Sequence, residues 1–155
     1  MKLLRILGCV FLIMVMNTIP TRSKIILLPL QEMVEEAELI IIGKVMQIEK
    51  TDNKHREYGD EYKVTIEIEE TIKGDRAIKD VDIYYFPTLS VEPEFVIRER
   101  CIFFMKTWKG RHTIVQGSGG KAVIKNNEVS PLYIKDEEKA QKLQLFIQKI
   151  KKFIK

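Results

Sequence analysis

Residues 62–72 read Tyr-Lys-Val-Thr-Ile-Glu-Ile-Glu-Glu-Thr-Ile, and their alternation decides the fold class. Tyr62, Val64, Ile66 and Ile68 fall on one side of an extended chain; Lys63, Thr65, Glu67 and Glu69 fall on the other. A period of two is the mark of a half-buried strand, with one face on a core and the other in water. Upstream, residues 38–49 (Glu-Leu-Ile-Ile-Ile-Gly-Lys-Val-Met-Gln-Ile-Glu) are β-branched and almost continuously apolar. That pattern suits a central strand, and Gly43 within it predicts a bend or bulge. The polar stretch 51–60 between the two runs reads as a loop.

Downstream, Lys73-Gly74-Asp75 turns the chain, and Val81 to Phe86 forms a third strand stopped by Pro87. Residues 87–99, with Pro87 and Pro93, read as an irregular connection. Cys101 to Trp108 is a fourth, strongly apolar strand, and Lys109-Gly110 predicts a hairpin turn into a fifth, Arg111 to Gln116. Gly117-Ser118-Gly119-Gly120 reads as a flexible loop between strands. Lys121 to Ile124 and Glu128-Val129 flank turn-prone Asn126 and Asn127 in a small terminal hairpin.

Helices are expected at both ends. Leu30, Met33, Val34 and Ala37 have helical spacing after Pro29, with Glu32, Glu35 and Glu36 in the early turns. At the C-terminus, Asp136 is the expected N-cap, followed by Glu137 and Glu138 and a stripe of Leu143, Phe146, Ile147, Ile150 and Ile154. Lys149, Lys151, Lys152 and Lys155 suit its negative end. This amphipathic helix either docks on the sheet or lies on an anionic membrane surface.

The first 23 residues read differently from the rest. Lys2 and Arg5 precede the apolar run Ile6 to Met16, which polar Asn17 and Thr18 end. A basic start and a run of this length predict a secretory signal peptide, with Thr21-Arg22-Ser23 at the cleavage site. The run is too short for a spanning helix, which needs about 20 residues. An uncleaved anchor over residues 6–16 is the alternative. Cys9 sits near the start of the apolar run, where a lipidated cysteine would follow it, so lipidation is not expected. The domain division is then 1–23 signal peptide, 24–134 β-domain and 135–155 helix, and the expected location is secreted or extracytoplasmic.

Charge and residue usage narrow the chemistry. The chain is 45% hydrophobic and 31% charged, with a net charge of +4. The basic excess is at the ends: residues 24–134 hold 16 basic against 19 acidic residues, a net of −3. Nucleic-acid binding needs a broad basic face, so it is not expected. Cleavage would leave Cys101 as the sole cysteine, without an intrachain disulfide, and its apolar neighbours place it in the core. His55 and His112 belong to no ligand pattern, so no metal is expected. The run 117–121 fails as a phosphate loop, because Val115 stands where its first glycine belongs and no Ser or Thr follows Lys121. It fails equally as a nucleophile elbow, since G-x-S-x-G is absent. The strand-face pairs Glu67/Glu69 and Asp80/Asp82 could serve acid–base work only if one carboxyl had an apolar setting. Tyr84, Tyr85, Phe86, Phe103, Phe104 and Trp108 are mostly core, with some available for stacking.

Taken together, Ala37 to Val45, Tyr62 to Ile66, Ile72-Lys73-Gly74-Asp75, Cys101 to Lys106, Ile114 to Gly117 and Gly119-Gly120-Lys121 form a pattern over about residues 30–130. It resembles a group of small bacterial exported proteins of unassigned function. Their strand order resembles the netrin-like domain of tissue inhibitors of metalloproteinases. The resemblance implies a mainly β (α+β) fold: a five-stranded OB-type antiparallel barrel with a short N-terminal helix and a C-terminal amphipathic helix. Those inhibitors chelate zinc through a free N-terminal cysteine held by disulfides. This chain would have neither after cleavage, so inhibition by that route is not implied. The Arg98-Glu99-Arg100 stretch also stands where a glycine is expected before the fourth strand. The expectation is a non-catalytic exported binding domain without a cofactor, with a protein or glycan partner at the cell envelope. A secreted hydrolase or hydrolase inhibitor is the alternative. The expected ligand rim is formed by the 51–60 and 87–99 loops and by His55, Tyr58, Trp108 and His112.

Overall fold

The computed structural model describes residues 28–131, 134 and 139–154. The expected signal peptide and its cleavage site lie outside the described residues. Helix α1 (Leu30–Glu36) leads into strands β1 (Leu39–His55), β2 (Gly59–Lys73), β3 (Asp80–Tyr85), β4 (Arg100–Trp108) and β5 (Arg111–Ile114). A 3-10 turn (Gly117–Gly120), strands β6 (Lys121–Lys125), β7 (Glu128–Ser130) and β8 (Gln141–Lys142), and helix α2 (Leu143–Phe153) complete the chain.

The sheet order is β1-β2-β3-β5-β4-β6-β7-β8, and β1 also pairs with β4. That extra pairing closes β1, β2, β3, β5 and β4 into a five-stranded OB-type barrel, the expected fold. Its neighbours are antiparallel except β3 and β5, which run parallel and pair at Ile83↔His112. The expected all-antiparallel barrel is therefore mixed at its closing seam. An odd number of strands cannot alternate direction all the way round.

Alternation along β1 and β4 separates two cores. Leu39, Ile41, Cys101, Phe103 and Met105 point into the barrel. Ile40, Ile42, Ile102 and Phe104 point outward, into a second core built with Met33 and Val34 of α1 and Phe146, Ile147 and Ile150 of α2. Burial on both faces explains why these two strands read as continuous apolar runs, whereas β2 alternates. The apolar stripe of α2 is spent on this core, which favours docking over a membrane surface. Among the described residues, no helix is long and apolar enough to cross a membrane.

Local chemistry fixes the turns. Lys109 and Gly110 have φ of 50° and 75°, and Asn126 and Asn127 have 50° and 63°. Two residues with positive φ make the mirror-image turn whose twist matches a hairpin, and asparagine and glycine adopt it most readily. Gly43 sits at a register shift between β1 and β2, where an added Cβ would lie 2.5 Å from Ile66 Cγ2. Arg98 takes φ of 70° just before β4, a left-handed turn that a glycine would make without strain.

Three expectations need correction. The polar stretch 51–60 is mostly strand: β1 and β2 continue as a two-stranded ribbon to His55↔Gly59. Both faces of this ribbon meet water, so no apolar alternation announces it. Beyond Lys44 it has no β4 partner, and only Val45 bonds across, to Arg98 and Glu99. Gly117–Gly120 is a 3-10 turn with Gly119 and Gly120 buried, in place of a flexible loop. Finally, α2 begins at Leu143 with Lys142 at its cap, not Asp136, which lies outside the described residues. The preceding Gln141 and Lys142 pair with β7, and Leu143 N–H donates to Asn127 O, so the helix starts only after that pairing ends.

Candidate functional site

The irregular connection 86–99 crosses one end of the barrel as a strap. Phe95 is its plug: buried, with its ring 4.9 Å from Tyr85 and 6.5 Å from Phe103. Two clips hold it down. Ser118 N–H donates to Val91 O at 2.7 Å, and Ser118 Oγ donates to Val91 O and Glu92 O. Lys121, whose side chain is only 8% exposed, pairs with Glu99 at 2.5 Å, donates to Glu94 O and lies over the Phe95 ring. Gly117 permits this approach, since a Cβ there would fall 2.0 Å from Val91 O.

Between the strap and the outer face of β3, β5 and β4 lies a groove of about 470 Å³. Tyr84, Phe86 and Trp108 supply aromatic surface; Lys106, Arg111, Glu61 and Glu92 supply charge. Trp108 is 60% exposed, and Lys109 Nζ rests 4.3 Å from its ring centre. Arg111 lies 4.3 Å over Tyr84 and pairs with Glu61 Oε1 at 3.1 Å. Glu61 is 6% exposed, and its other oxygen accepts from Thr51 Oγ1 at 3.0 Å and Asn53 Nδ2 at 2.9 Å. One buried carboxylate thus ties the β1–β2 ribbon to β5, and three donor contacts, one from each of three side chains, offset its burial.

The four rim residues meet at this end of the barrel. Trp108 and His112 line the groove. His55 and Tyr58 stack at 4.3 Å on the ribbon, and both rings approach Phe86, at 6.0 and 5.9 Å. Phe86 is also a groove wall, so the two pairs are joined through it. His55 Nδ1 accepts from Glu57 N–H at 3.2 Å, whereas His112 Nδ1 is enclosed with no hydrogen-bond partner among the described residues.

Sequence reading missed Tyr84, Arg111 and Glu61 as one unit, because they converge from strands distant along the chain. It also missed Glu92. The strand-face carboxylates are conventional: Glu69 pairs with Arg100, and Asp82 accepts from Thr65 Oγ1 at 2.7 Å. Glu92 is the carboxyl in a desolvated setting, and burial holds its pKa above the ordinary value of 4.5. The folded protein binds that proton more tightly than the unfolded chain. Stability from this group therefore falls as pH rises through the window above 4.5. Glu92→Gln is expected to raise the urea midpoint at about pH 7 and leave it unchanged at about pH 3.

Cys101 is fully buried in the barrel, and desolvation pushes its thiol far up. A nucleophilic thiol needs the opposite shift. Maleimide is expected to leave Cys101 unlabelled in the native protein and to react with it in urea, as read by peptide mass spectrometry. Among the described residues, no three His, Cys, Asp or Glu side chains are grouped to hold a metal ion. No family model matches the chain, and no curated protein matches it.

Proposed function

We propose that the protein is an exported, non-catalytic binding domain that takes a cell-envelope ligand in the groove beneath the strap. The observation that carries this reading is Trp108, 60% exposed beside Tyr84 and Phe86 in a groove framed by buried, hydrogen-bonded charge. A large aromatic left in water next to fixed polar groups is a recognition surface, since nothing in the fold needs its exposure. Barrels of this type bind on a sheet face and its rim loops. Export rests on the basic-then-apolar start of the sequence, Lys2 to Met16. Catalysis by a thiol has no support from buried Cys101, and acid–base chemistry would need a second group poised opposite Glu92.

Glycan and envelope-peptide arrays test the groove. Trp108→Ala is expected to retain the far-UV circular-dichroism spectrum and to lose at least about tenfold in affinity for any ligand the parent protein retains. An unchanged array profile would count against the groove. Cell fractionation with N-terminal sequencing tests export: full-length protein free in the cytosol would overturn it.

A further inference from the structure

We propose that residues 87–92 of the strap form a proton-gated lid, seated while Glu92 carries its proton and lifted when Glu92 ionises. Only its consequence rests on the groove reading above: Val91 and Glu92 roof the groove, so the proton sets whether that site is closed. The geometry is that of an arm held at few points. No residue from Pro87 to Glu92 is buried, whereas Pro93 and Phe95 just beyond are. Leu89 N–H donates to Phe86 O and Glu92 N–H to Leu89 O, each at 3.0 Å, but these bonds lie within the strap itself. Two residues tie the arm to the barrel: Ser118, through its N–H and hydroxyl to the Val91 and Glu92 carbonyls, and Tyr58, whose carbonyl accepts from the Thr88 hydroxyl. The other end is fixed more firmly. Arg98 N–H donates to Val45 O at 2.7 Å, Val45 N–H donates to Glu99 O at 2.9 Å, and Glu99 pairs with Lys121. Cavities of about 390, 470 and 370 Å³ abut the strap, and Glu92 lines each of them. A segment bordered by voids and short of buried apolar contact opens at low free energy.

Glu92 couples this opening to pH. The cations that share a cavity with it are engaged elsewhere: Lys106 pairs with Glu36, Arg111 with Glu61 and Lys121 with Glu99. Glu94, Tyr84 and His112 share those cavities, and among the described residues none of them hydrogen-bonds its carboxylate. Tyr85 of β3 registers its charge: desolvation first, then Tyr62 and Glu92, hold that phenol above its ordinary 10. Water excluded by the seated strap, with no counter-ion in its place, is what raises the Glu92 pKa. Lifting the arm returns water to the carboxylate. The closed form binds the proton more tightly than the open form, so closure is complete below the ordinary 4.5 and weakens as pH rises through the higher closed-state value.

The Ser118 amide is the reporter, because its partner Val91 O leaves with the arm. Its exchange is followed by NMR and corrected for the intrinsic rate at each pH. Protection in the parent protein is expected to be at least about threefold lower at about pH 7 than at about pH 4. Glu92→Gln is expected to hold the higher protection at both. Glu94→Gln, on an exposed carboxylate of the same strap, is expected to fall as the parent does. The amides of Val45, bonded to Glu99 O, and Val115, bonded to Phe104 O, report the fixed end and the barrel, and neither should fall in proportion. Circular dichroism checks that both variants fold. Protection at Ser118 that does not change with pH overturns the lid. A fall that survives in Glu92→Gln assigns the pH dependence to another group, His112 foremost, and overturns the gating by Glu92. Loss of the fall in Glu94→Gln does the same. Val45 and Val115 falling in step with Ser118 overturns a local opening. None of these measurements uses a ligand, so their failure leaves the groove standing, and the array profile of Trp108→Ala decides that reading separately.

Discussion

Phe104→Ala is expected to destabilise the fold by about 3–5 kcal/mol, and Phe103→Ala by a similar amount, although neighbouring side chains do different work. Both are fully buried. Phe104 fills the core between the sheet and the two helices, and Phe103 fills the barrel. Domains of this size are stable by about 5–15 kcal/mol, so either change removes a large share. The secondary effects should separate. Phe104→Ala leaves its cavity beneath α1 and α2, so amide exchange should accelerate first in residues 143–153. Phe103→Ala removes the ring behind Phe95 and should loosen the strap instead. Urea denaturation combined with hydrogen-exchange mass spectrometry reads both. Equal exchange in α2 of the two variants would show that the cores are not separate in energy.

Gly117→Ala is the second large effect. Gly117 has φ of 54°, and its Cβ would sit 2.0 Å from Val91 O and 3.0 Å from the carbonyl carbon. A left-handed alanine costs about 1–2 kcal/mol. The clash must also push the strap off, breaking the hydrogen bond from Ser118 N–H and adding about 1 kcal/mol. A total of about 2–3 kcal/mol is expected, together with lost ligand affinity, since Val91 and Glu92 form the groove's roof. Gly110→Ala is the control: φ is 75°, but nothing lies within 4 Å, so only the conformational cost remains. Thermal melts of the two variants should differ clearly. Matching melts would mean the strap moves aside without cost.

What could be read from the sequence was what is local or periodic. The alternation of residues 62–68 announced β2 because one face alone is buried. Lys109-Gly110 and Asn126-Asn127 announced hairpins because few residue pairs tolerate positive φ twice. The β1–β2 ribbon beyond Lys50 stayed hidden, since its cross-strand side-chain contacts are polar, as between Thr51 or Asn53 and Glu61, and leave no apolar alternation to read. Asp136 is a good cap by chemistry, but the pairing of Gln141 and Lys142 with β7 sets where α2 starts. The candidate site was half legible. Trp108, His112, His55 and Tyr58 were named as an expected ligand rim, and they lie at one end of the barrel. Glu92 could not be, because its desolvation comes from a strap clipped down by Gly117 and Ser118, 25 and 26 positions later in the chain.

The length by which β1 outruns β4 bears on how these molecules tolerate crowding. From Met46 to His55 one side of the strand offers its amides and carbonyls to any passing chain, the geometry from which fibrils grow. Glu49, Lys50, Asp52 and Lys54 are spaced along that border. A stacked neighbour in parallel register would set each charge against its own copy. At high concentration the protein can thus keep an open border without propagating along it.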